Sequence, residues 1–310
     1  MKTGASLPVT GAPESKPARS GLDRTAAIIE VVLAFALVHV AYRALKRFTV
    51  LGEWDAQTNF IPGLMMVAFT VTILLLCRRS FAAYGLGTQK WQYHLNLGLA
   101  CSLVLLAVEA IALAVTRFQF DASKPPDPHA PLQFMRIAGL AAVALPAFII
   151  VLCLIGGRFG IVERIPRAAT IPAILALLAV LPLVATYFHR PSMWGQALWP
   201  FLGAGFGEEI FFRGYIQSRV DQAFGCPFRL LGFEFGMGLL VSSLLFGLIH
   251  ALNTVDYFGG HFDFGWWYGV QNIFTGLFFG CVRARTGSVL PGAILHGLED
   301  AFARIPNLLP

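Results

Sequence analysis

The chain has 310 residues, of which 56% are hydrophobic and only 13% are charged. Because soluble domains carry about 25% charged residues, this composition indicates a polytopic membrane protein. The net charge of +6 is spread too thinly for a nucleic-acid-binding surface and suits loops that face anionic lipid. The five cysteines form no CxxC pair, so neither a disulfide framework nor a zinc knuckle is expected.

Residues 1–25 are rich in proline, serine, glycine and lysine, which predicts a disordered basic arm and not a cleaved signal peptide. Continuous apolar runs follow, and continuous runs in lipid predict helices. They lie at 26–45, 59–77, 95–115, 134–155, 170–188, 197–216, 235–252, 266–283 and 287–303. Some runs are short and the last two are compatible with re-entrant segments. The sequence therefore predicts an all-α transmembrane bundle of about eight or nine helices.

The connections between the runs are short and basic, apart from a proline-rich loop at Asp121–Pro131. With nine spans, the loops on the side of the N-terminus carry about twice as many lysines and arginines as the opposite loops. This asymmetry predicts a cytoplasmic N-terminus. One re-entrant segment would invert every span that follows it.

Polar residues also occur in the other apolar runs. Glu30, His39 and Glu109 are interpreted as helix-packing groups, and Asn272 is a candidate for bridging two helices. The aromatic segment 262–268 is typical of the belt that lies at a membrane surface.

The segment Gly203–Gly214 places two adjacent carboxylates and an arginine inside an apolar, glycine-rich run. Ionisable groups at that depth are costly, so a functional role is the first interpretation. On a helix, Glu209 and Arg213 are four residues apart in the order that favours an ion pair. Glu208 is rotated by about 100° from Glu209 and is left to face another partner. The alternative is a buried ion pair that only holds helices together.

Two histidine motifs follow in the C-terminal third. Phe246 and His250 are four residues apart in one run, and His296 and Asp300 are four apart in the last run. Glu299 is three residues from His296 and competes for the same neighbour. A single histidine on an apolar face is more often a core residue. Together with Glu208, however, the two histidines would form a polar cluster suited to general base catalysis on water.

These three motifs, in this order, resemble the CPBP family, which includes the type II CAAX prenyl proteases and the bacteriocin-processing (Abi) intramembrane endopeptidases. The family pattern is EExxxR, then FxxxH, then HxxxN or HxxxD, each on a separate transmembrane helix. The resemblance covers residues 195–305, so this range is expected to be the catalytic transmembrane core. Residues 26–190 are expected to be accessory helices. Tyr84-Gly-Leu-Gly followed by Trp91 is also seen before the core in relatives.

The resemblance implies a peptidase that cleaves near the C-terminus or the membrane-proximal part of a lipidated or hydrophobic substrate. It implies that Glu208 is the general base for the attacking water and that His250 is its partner. His296 and Asp300 would support the oxyanion.

By the same resemblance, Glu209 and Arg213 would hold the site together. Family members have been described both as metalloproteases and as metal-independent glutamate proteases. Glu208, His250 and His296 would make a zinc set with an open water position, although no HExxH motif is present. The sequence favours chemistry without a cofactor, with zinc as the alternative.

Position 300 is an aspartate where prenyl-protein proteases usually have asparagine. An ionised Asp300 cannot donate a hydrogen bond to an oxyanion. It would instead orient His296 or join a metal shell. This departure places the chain closer to the bacterial members.

The expected location is the bacterial cytoplasmic (inner) membrane. The expected partners are membrane lipids and a lipidated or hydrophobic peptide or protein, with no nucleic acid. Two other classes are a non-catalytic scaffold or immunity protein of the same fold and a proton-coupled transporter. The intact set of ionisable residues argues against the first. The lack of paired broken helices in two halves argues against the second.

Overall fold

The computed structural model describes residues 21–52, 60–116, 147, 149–157, 160, 162–187, 200–230 and 233–302. These ranges are predominantly helical, which confirms the predicted all-α class. The helices are α1 (Gly21–Phe48), α2 (Ile61–Leu76), α3 (Trp91–Thr116), α4 (Arg167–Tyr187), a π-helix (Pro200–Gln217), α5 (Ser218–Phe224), α6 (Met237–Ala251), α7 (Trp266–Thr286) and α8 (Leu290–Phe302). Short 3₁₀ turns lie at Ala82–Tyr84, Val162–Arg164 and Leu252–Thr254.

Nearly every predicted apolar run is helical over most of its length. The run at 134–155 is described only at residue 147 and at 149–155, which are helical. The loop Asp121–Pro131 and most of the N-terminal arm lie outside the described residues. Two features were not predicted. Strands β1 (Phe228–Leu230) and β2 (Phe233–Phe235) form an antiparallel hairpin, and the run that carries the two glutamates is wound as a π-helix.

Among the described residues, two helical segments are long and apolar enough to cross a membrane, Gly21–Phe48 and Met237–Thr254. Ile61–Leu76 and Ala168–Ala179 are shorter apolar helices. Large apolar side chains such as Leu33 and Leu37 are exposed along α1. An exposed apolar stripe of this kind suits contact with lipid.

The π-helix packs between α2 and α8, and on both sides backbone meets backbone. A Cβ on Gly63 of α2 would lie 2.6 Å from Gly203 Cα. On the other side, a Cβ on Gly205 would lie 2.7 Å from the Cα of Gly297 in α8. Small residues let helices approach closely in lipid. The glycine-rich sequence therefore brings two helices directly against the segment that carries Glu208.

Helices α6 and α7 pack against each other through a second set of small residues. A Cβ on Gly247 would lie 2.5 Å from Gly269 O, and one on Gly276 would lie 2.9 Å from Ser243 Cα. The Ser242 hydroxyl donates a hydrogen bond of 2.8 Å to the carbonyl of Phe212, which ties α6 to the π-helix. These contacts fix the position of α6, and with it His250 near its end.

Glu30 connects α1 to the C-terminal half of the chain. Its carboxylate accepts hydrogen bonds from Arg79, from Arg219 Nε at 2.8 Å and from the Tyr215 hydroxyl at 2.8 Å. The interpretation of Glu30 as a helix-packing group is confirmed. The side chain of Glu109, which was given the same role, lies outside the described part of the chain.

The Tyr84-Gly-Leu-Gly motif is a second connection. The Tyr84 ring stacks on Tyr215 with centroids 6.2 Å apart. Gly85 has a φ of 75°, and its carbonyl accepts a hydrogen bond of 3.1 Å from Val289 N. A Cβ on Gly85 would lie 2.5 Å from Arg283 Nε. Only glycine both adopts this backbone conformation readily and leaves room for the guanidinium.

Candidate active site

His296 lies at the centre of the predicted site, among carboxylates from two helices. Its Nδ1 is 3.2 Å from Glu209 Oε1 on the π-helix. Its Nε2 is 3.9 Å from Glu208 Oε2 and 3.6 Å from the Oδ2 of Asp300, one turn further along α8. The Phe279 ring stacks on the imidazole at 4.7 Å. The structure therefore brings the two glutamates and the HxxxD motif together, as the sequence predicted.

The Glu209 contact determines how His296 can act. A carboxylate accepts hydrogen bonds, so the imidazole donates from Nδ1. In the neutral ring, the lone pair then lies on Nε2, on the side of Glu208 and Asp300. Nε2 can donate a hydrogen bond only when the imidazole carries both protons.

Arg213 and Glu209 form the predicted ion pair. Arg213 Nη1 lies 2.9 Å from Glu209 Oε1, at an angle outside the hydrogen-bonding range, and the two side chains are 0% and 1% exposed. The guanidinium also lies 4.2 Å from the Phe246 ring centroid and 5.3 Å from that of Phe279. Aromatic faces attract a cation most strongly where water is excluded. Arg213 is thus held by one carboxylate, by the rings around it and by a hydrogen bond of 3.4 Å from Nη2 to the Gly276 carbonyl.

Glu208, unlike Glu209, has no close cationic partner in the described ranges. Its Oε2 is buried and has no hydrogen-bond partner within the described ranges. His296 Nε2 lies 3.9 Å from this oxygen, which is too far for a direct hydrogen bond. A buried acceptor without a protein donor is costly unless water or a ligand satisfies it. Glu208 is therefore the carboxylate that is available to act on a bound water.

His250 is held by its own helix. Its Nδ1 donates a hydrogen bond of 2.7 Å to the carbonyl of Phe246, which leaves the lone pair of the neutral ring on Nε2. The centroid of the Phe246 ring lies 4.6 Å from that of the His250 ring and 6.0 Å from that of the His296 ring, so Phe246 packs beside both imidazoles. Within the described residues no hydrogen bond joins His250 to Glu208. A partnership between them would run through a water or the substrate.

A comparison with known protein families identifies a family similar to this part of the chain. Residues 189–302 match the family described as Type II CAAX prenyl endopeptidase Rce1-like. This part of the chain is similar to that family, and we call it the Rce1-like domain on that basis. The match contains every candidate residue and confirms the resemblance found from the motifs. No curated protein and no solved structure matched the chain.

At the level of the family, the Rce1-like domain indicates a peptidase of the CAAX type that is embedded in a membrane, and the two apolar helices fit that location. The family match covers only the C-terminal part, and the helices before residue 189 contact it through Glu30 and Tyr84.

Among its described residues, the Rce1-like domain shows no group of side chains arranged as metal ligands. Across the described residues, no three histidine, cysteine, aspartate or glutamate side chains come close enough together to hold a metal ion.

Other residues of the Rce1-like domain shape the site and were not singled out from the sequence. A Cβ on Gly292 would lie 2.9 Å from Glu209 Oε2, so this glycine leaves room for the carboxylate. Its spacing of four residues before His296 is the signal that could have identified it. The centroid of the Tyr268 ring lies 5.2 Å from that of the His250 ring, and no spacing in the sequence identifies Tyr268 as part of the site. The predicted competitor Glu299 is not among the carboxylates that contact His296, which are those of Glu208, Glu209 and Asp300.

Proposed function

We propose that this protein is an intramembrane endopeptidase in which Glu208 activates water without a metal. The observation that carries the proposal is the buried Glu208 oxygen, which has no protein partner in the described ranges and lies beside His296. General base catalysis requires an acceptor within reach of a water that itself faces the scissile carbonyl. Glu208 forms no ion pair with an arginine in the described ranges, and its contact with His296 Nε2 is too long for a direct hydrogen bond.

In the proposed first step, Glu208 takes a proton from water as the water oxygen attacks the scissile carbonyl carbon. The Nε2 lone pair of His250 accepts the second hydrogen of the water and orients it. The carbonyl oxygen becomes an oxyanion. His296 in its doubly protonated form donates from Nε2 to that oxyanion, while Glu209 holds Nδ1.

In the second step, the C–N bond breaks and Glu208 returns its proton to the leaving amine. One water is consumed, and the products are a carboxylic acid and an amine; the acid then passes its proton to the amine, so that a carboxylate and an ammonium group leave the site. Asp300 accepts and does not donate, so its role is to orient the His296 imidazolium at 3.6 Å. Apolar rings exclude water around these groups, which strengthens each electrostatic contact.

The proposed architecture is a polytopic bundle of eight or nine transmembrane helices in the bacterial cytoplasmic (inner) membrane. Residues 26–190 supply accessory helices and residues 195–305 supply the catalytic core. The helices found at the predicted apolar runs support this division. The proposed substrate is a lipidated or hydrophobic peptide or protein whose apolar part lies in lipid beside the site.

The test is single-turnover cleavage, in detergent, of a farnesylated peptide and of an unprenylated peptide with a hydrophobic tail. We expect Glu208→Gln to abolish cleavage and to purify as a folded protein. Glu163→Gln is the matched control, because it makes the same carboxylate-to-amide change at an exposed position, and it should retain activity. We also expect cleavage to survive a strong chelator.

Other outcomes would change the assignment. Full activity of Glu208→Gln would show that another group is the base. Loss of cleavage with the chelator and recovery with zinc would replace the metal-independent mechanism with the zinc alternative. If the folded wild-type protein cleaved neither peptide, the non-catalytic scaffold would become the better explanation.

A further inference from the structure

The active site lies towards one end of the helix bundle. His250 is the penultimate residue of α6, and Asp300 is close to the end of α8. The segment that follows α6 returns at Gly265, whose N–H donates a hydrogen bond of 3.0 Å to Ala251 O before α7 begins. We call this end, defined by residues 252–266, the loop end.

The opposite end is where α6 and α8 begin and where α7 finishes. There, Gly238 N donates to Asp221 Oδ1 at 2.8 Å, and Arg283 Nη2 donates to Ser218 Oγ at 3.0 Å. The N-terminal part of α1 reaches the same end, because Arg24 lies over the ring of Phe224 at 5.6 Å. We call this end the arginine end.

Basic residues are distributed unequally between the two ends. At the loop end, the described basic residues are those in the last turns of α1, namely Arg43, Lys46 and Arg47. The described basic residues at the arginine end are Arg24, Arg78, Arg79, Lys90, Arg164, Arg219, Arg229, Arg283 and Arg285. Lysines and arginines near the ends of membrane helices are enriched on the cytoplasmic side.

From this asymmetry and the position of the site, we propose that the arginine end faces the cytoplasm and that the active site opens at the outer face of the membrane. The orientation of α1, with its N-terminus at the arginine end, agrees with the cytoplasmic N-terminus that the sequence predicts. The site then lies close to the outer surface, because His250 immediately precedes the loop at that end.

The loop end has the character of a membrane surface. Phe258, Phe262 and Trp266 are 42%, 60% and 60% exposed, as expected of aromatic residues at the lipid–water boundary. Arg43 fixes the loop to α1 by donating a hydrogen bond of 2.7 Å to Leu252 O. At the tip, hydrogen bonds from the Gly259 and Phe258 amides hold the pKa of Asp256 below its ordinary value. A charged tip next to exposed aromatic rings is suited to a loop whose tip lies in water.

The orientation determines which substrates can reach the site, and this part of the inference rests on the proposed function. The substrate is a polypeptide that is anchored by an apolar segment or lipid and presents its scissile bond at the outer surface. An exported, membrane-anchored protein meets this requirement. A protein that carries a prenyl group on the cytoplasmic face does not.

The orientation can be tested by cysteine labelling without any activity assay. Cys226 is exposed between α5 and β1 at the arginine end and serves as the native probe. Phe262→Cys supplies the probe at the loop end. Each is made the only cysteine by replacing the others with alanine. Intact bacterial cells are then treated with a charged maleimide that cannot cross the membrane, and the same cells are treated again after permeabilisation.

We expect Phe262→Cys to react in intact cells and Cys226 to react only after permeabilisation. Any other pattern in intact cells, including labelling of both or of neither, would overturn the proposal. If a variant fails to accumulate or to react after permeabilisation, alkaline phosphatase fused after residue 310 gives a second reading, since α8 ends at the loop end. An active fusion supports an outer site, and an inactive fusion overturns it.

The two proposals fail in different ways. An inactive protein that labels as expected contradicts the proposed peptidase and leaves the orientation standing. An active peptidase with the reverse labelling pattern keeps the catalytic assignment and overturns the outer substrate.

Discussion

Glu209 neutralises Arg213, and its replacement by glutamine tests how the buried charges are balanced. Glutamine keeps an oxygen that can accept the His296 Nδ1 hydrogen bond, but it removes the negative charge beside the guanidinium. Both side chains of the ion pair are almost fully buried, so solvent does not screen the loss. Breaking a buried pair by removing one partner costs about 3–5 kcal/mol.

The surroundings of Arg213 reduce this cost. The Phe246 and Phe279 rings remain against the guanidinium, and each cation–π contact contributes about 0.5–2 kcal/mol. The Gly276 carbonyl also remains, at 3.4 Å from Nη2. We therefore expect Glu209→Gln to lower the free energy of unfolding by about 2–4 kcal/mol.

A double-mutant cycle in mild detergent measures this effect. Arg213→Met alone leaves Glu209 without its cation, and Glu209→Gln with Arg213→Met removes both charges. The double variant should recover stability to within about 1–2 kcal/mol of wild type, because a buried pair can be replaced by neutral groups at little cost. Glu163→Gln, at an exposed position, is the control and should change stability by less than about 0.5 kcal/mol. If Glu209→Gln behaved like this control, or if the double variant were as unstable as the two single variants combined, the ion-pair reasoning would be wrong.

Three further predictions concern the same helices. Gly292→Ala should lower activity, and it should lower the free energy of unfolding by about 1–3 kcal/mol, because its Cβ would lie 2.9 Å from Glu209 Oε2. The control is Gly21→Ala, since a Cβ at that position meets nothing within 4 Å. Both variants are compared in the same unfolding and cleavage assays. His250→Ala should abolish cleavage with an unchanged unfolding transition, and retained cleavage would remove it from the catalytic set. Glu30→Gln should weaken the contact of α1 with Arg79 and Arg219. Faster proteolysis of α1 would reveal this weakening. An unchanged rate of proteolysis would contradict the packing role of Glu30.

The sequence predicted the positions of the helices well because a bilayer demands long continuous apolar runs, and these are visible without knowledge of tertiary contacts. The Glu209–Arg213 ion pair was also predictable, since it depends only on spacing within one helix. The π winding of Pro200–Gln217 was not. A one-residue change in backbone hydrogen bonding leaves no mark in composition.

Contacts between helices were the hardest to predict. The sequence offered Asp300 and Glu299 as neighbours of His296, and it assigned Glu209 to Arg213 and Glu208 to the general-base role, so spacing alone could not show that Glu209 also contacts the imidazole. The structure explains it through the contact of the π-helix with α8, where Gly205 meets Gly297. Because that contact is made by backbone atoms, Glu209 comes within 3.2 Å of the imidazole and fills the space beside Gly292.

The glycines therefore have a chemical consequence as well as a packing one. A carboxylate and an arginine buried in apolar surroundings are tolerated only when each has a close partner. The close approach of the π-helix and α8 brings His296 to Glu209, which also pairs with Arg213, whereas Glu208 is left without an arginine and with His296 Nε2 only at 3.9 Å. A side chain larger than glycine at position 63, 205 or 297 would separate these helices. We infer that it would lower activity before it unfolded the protein.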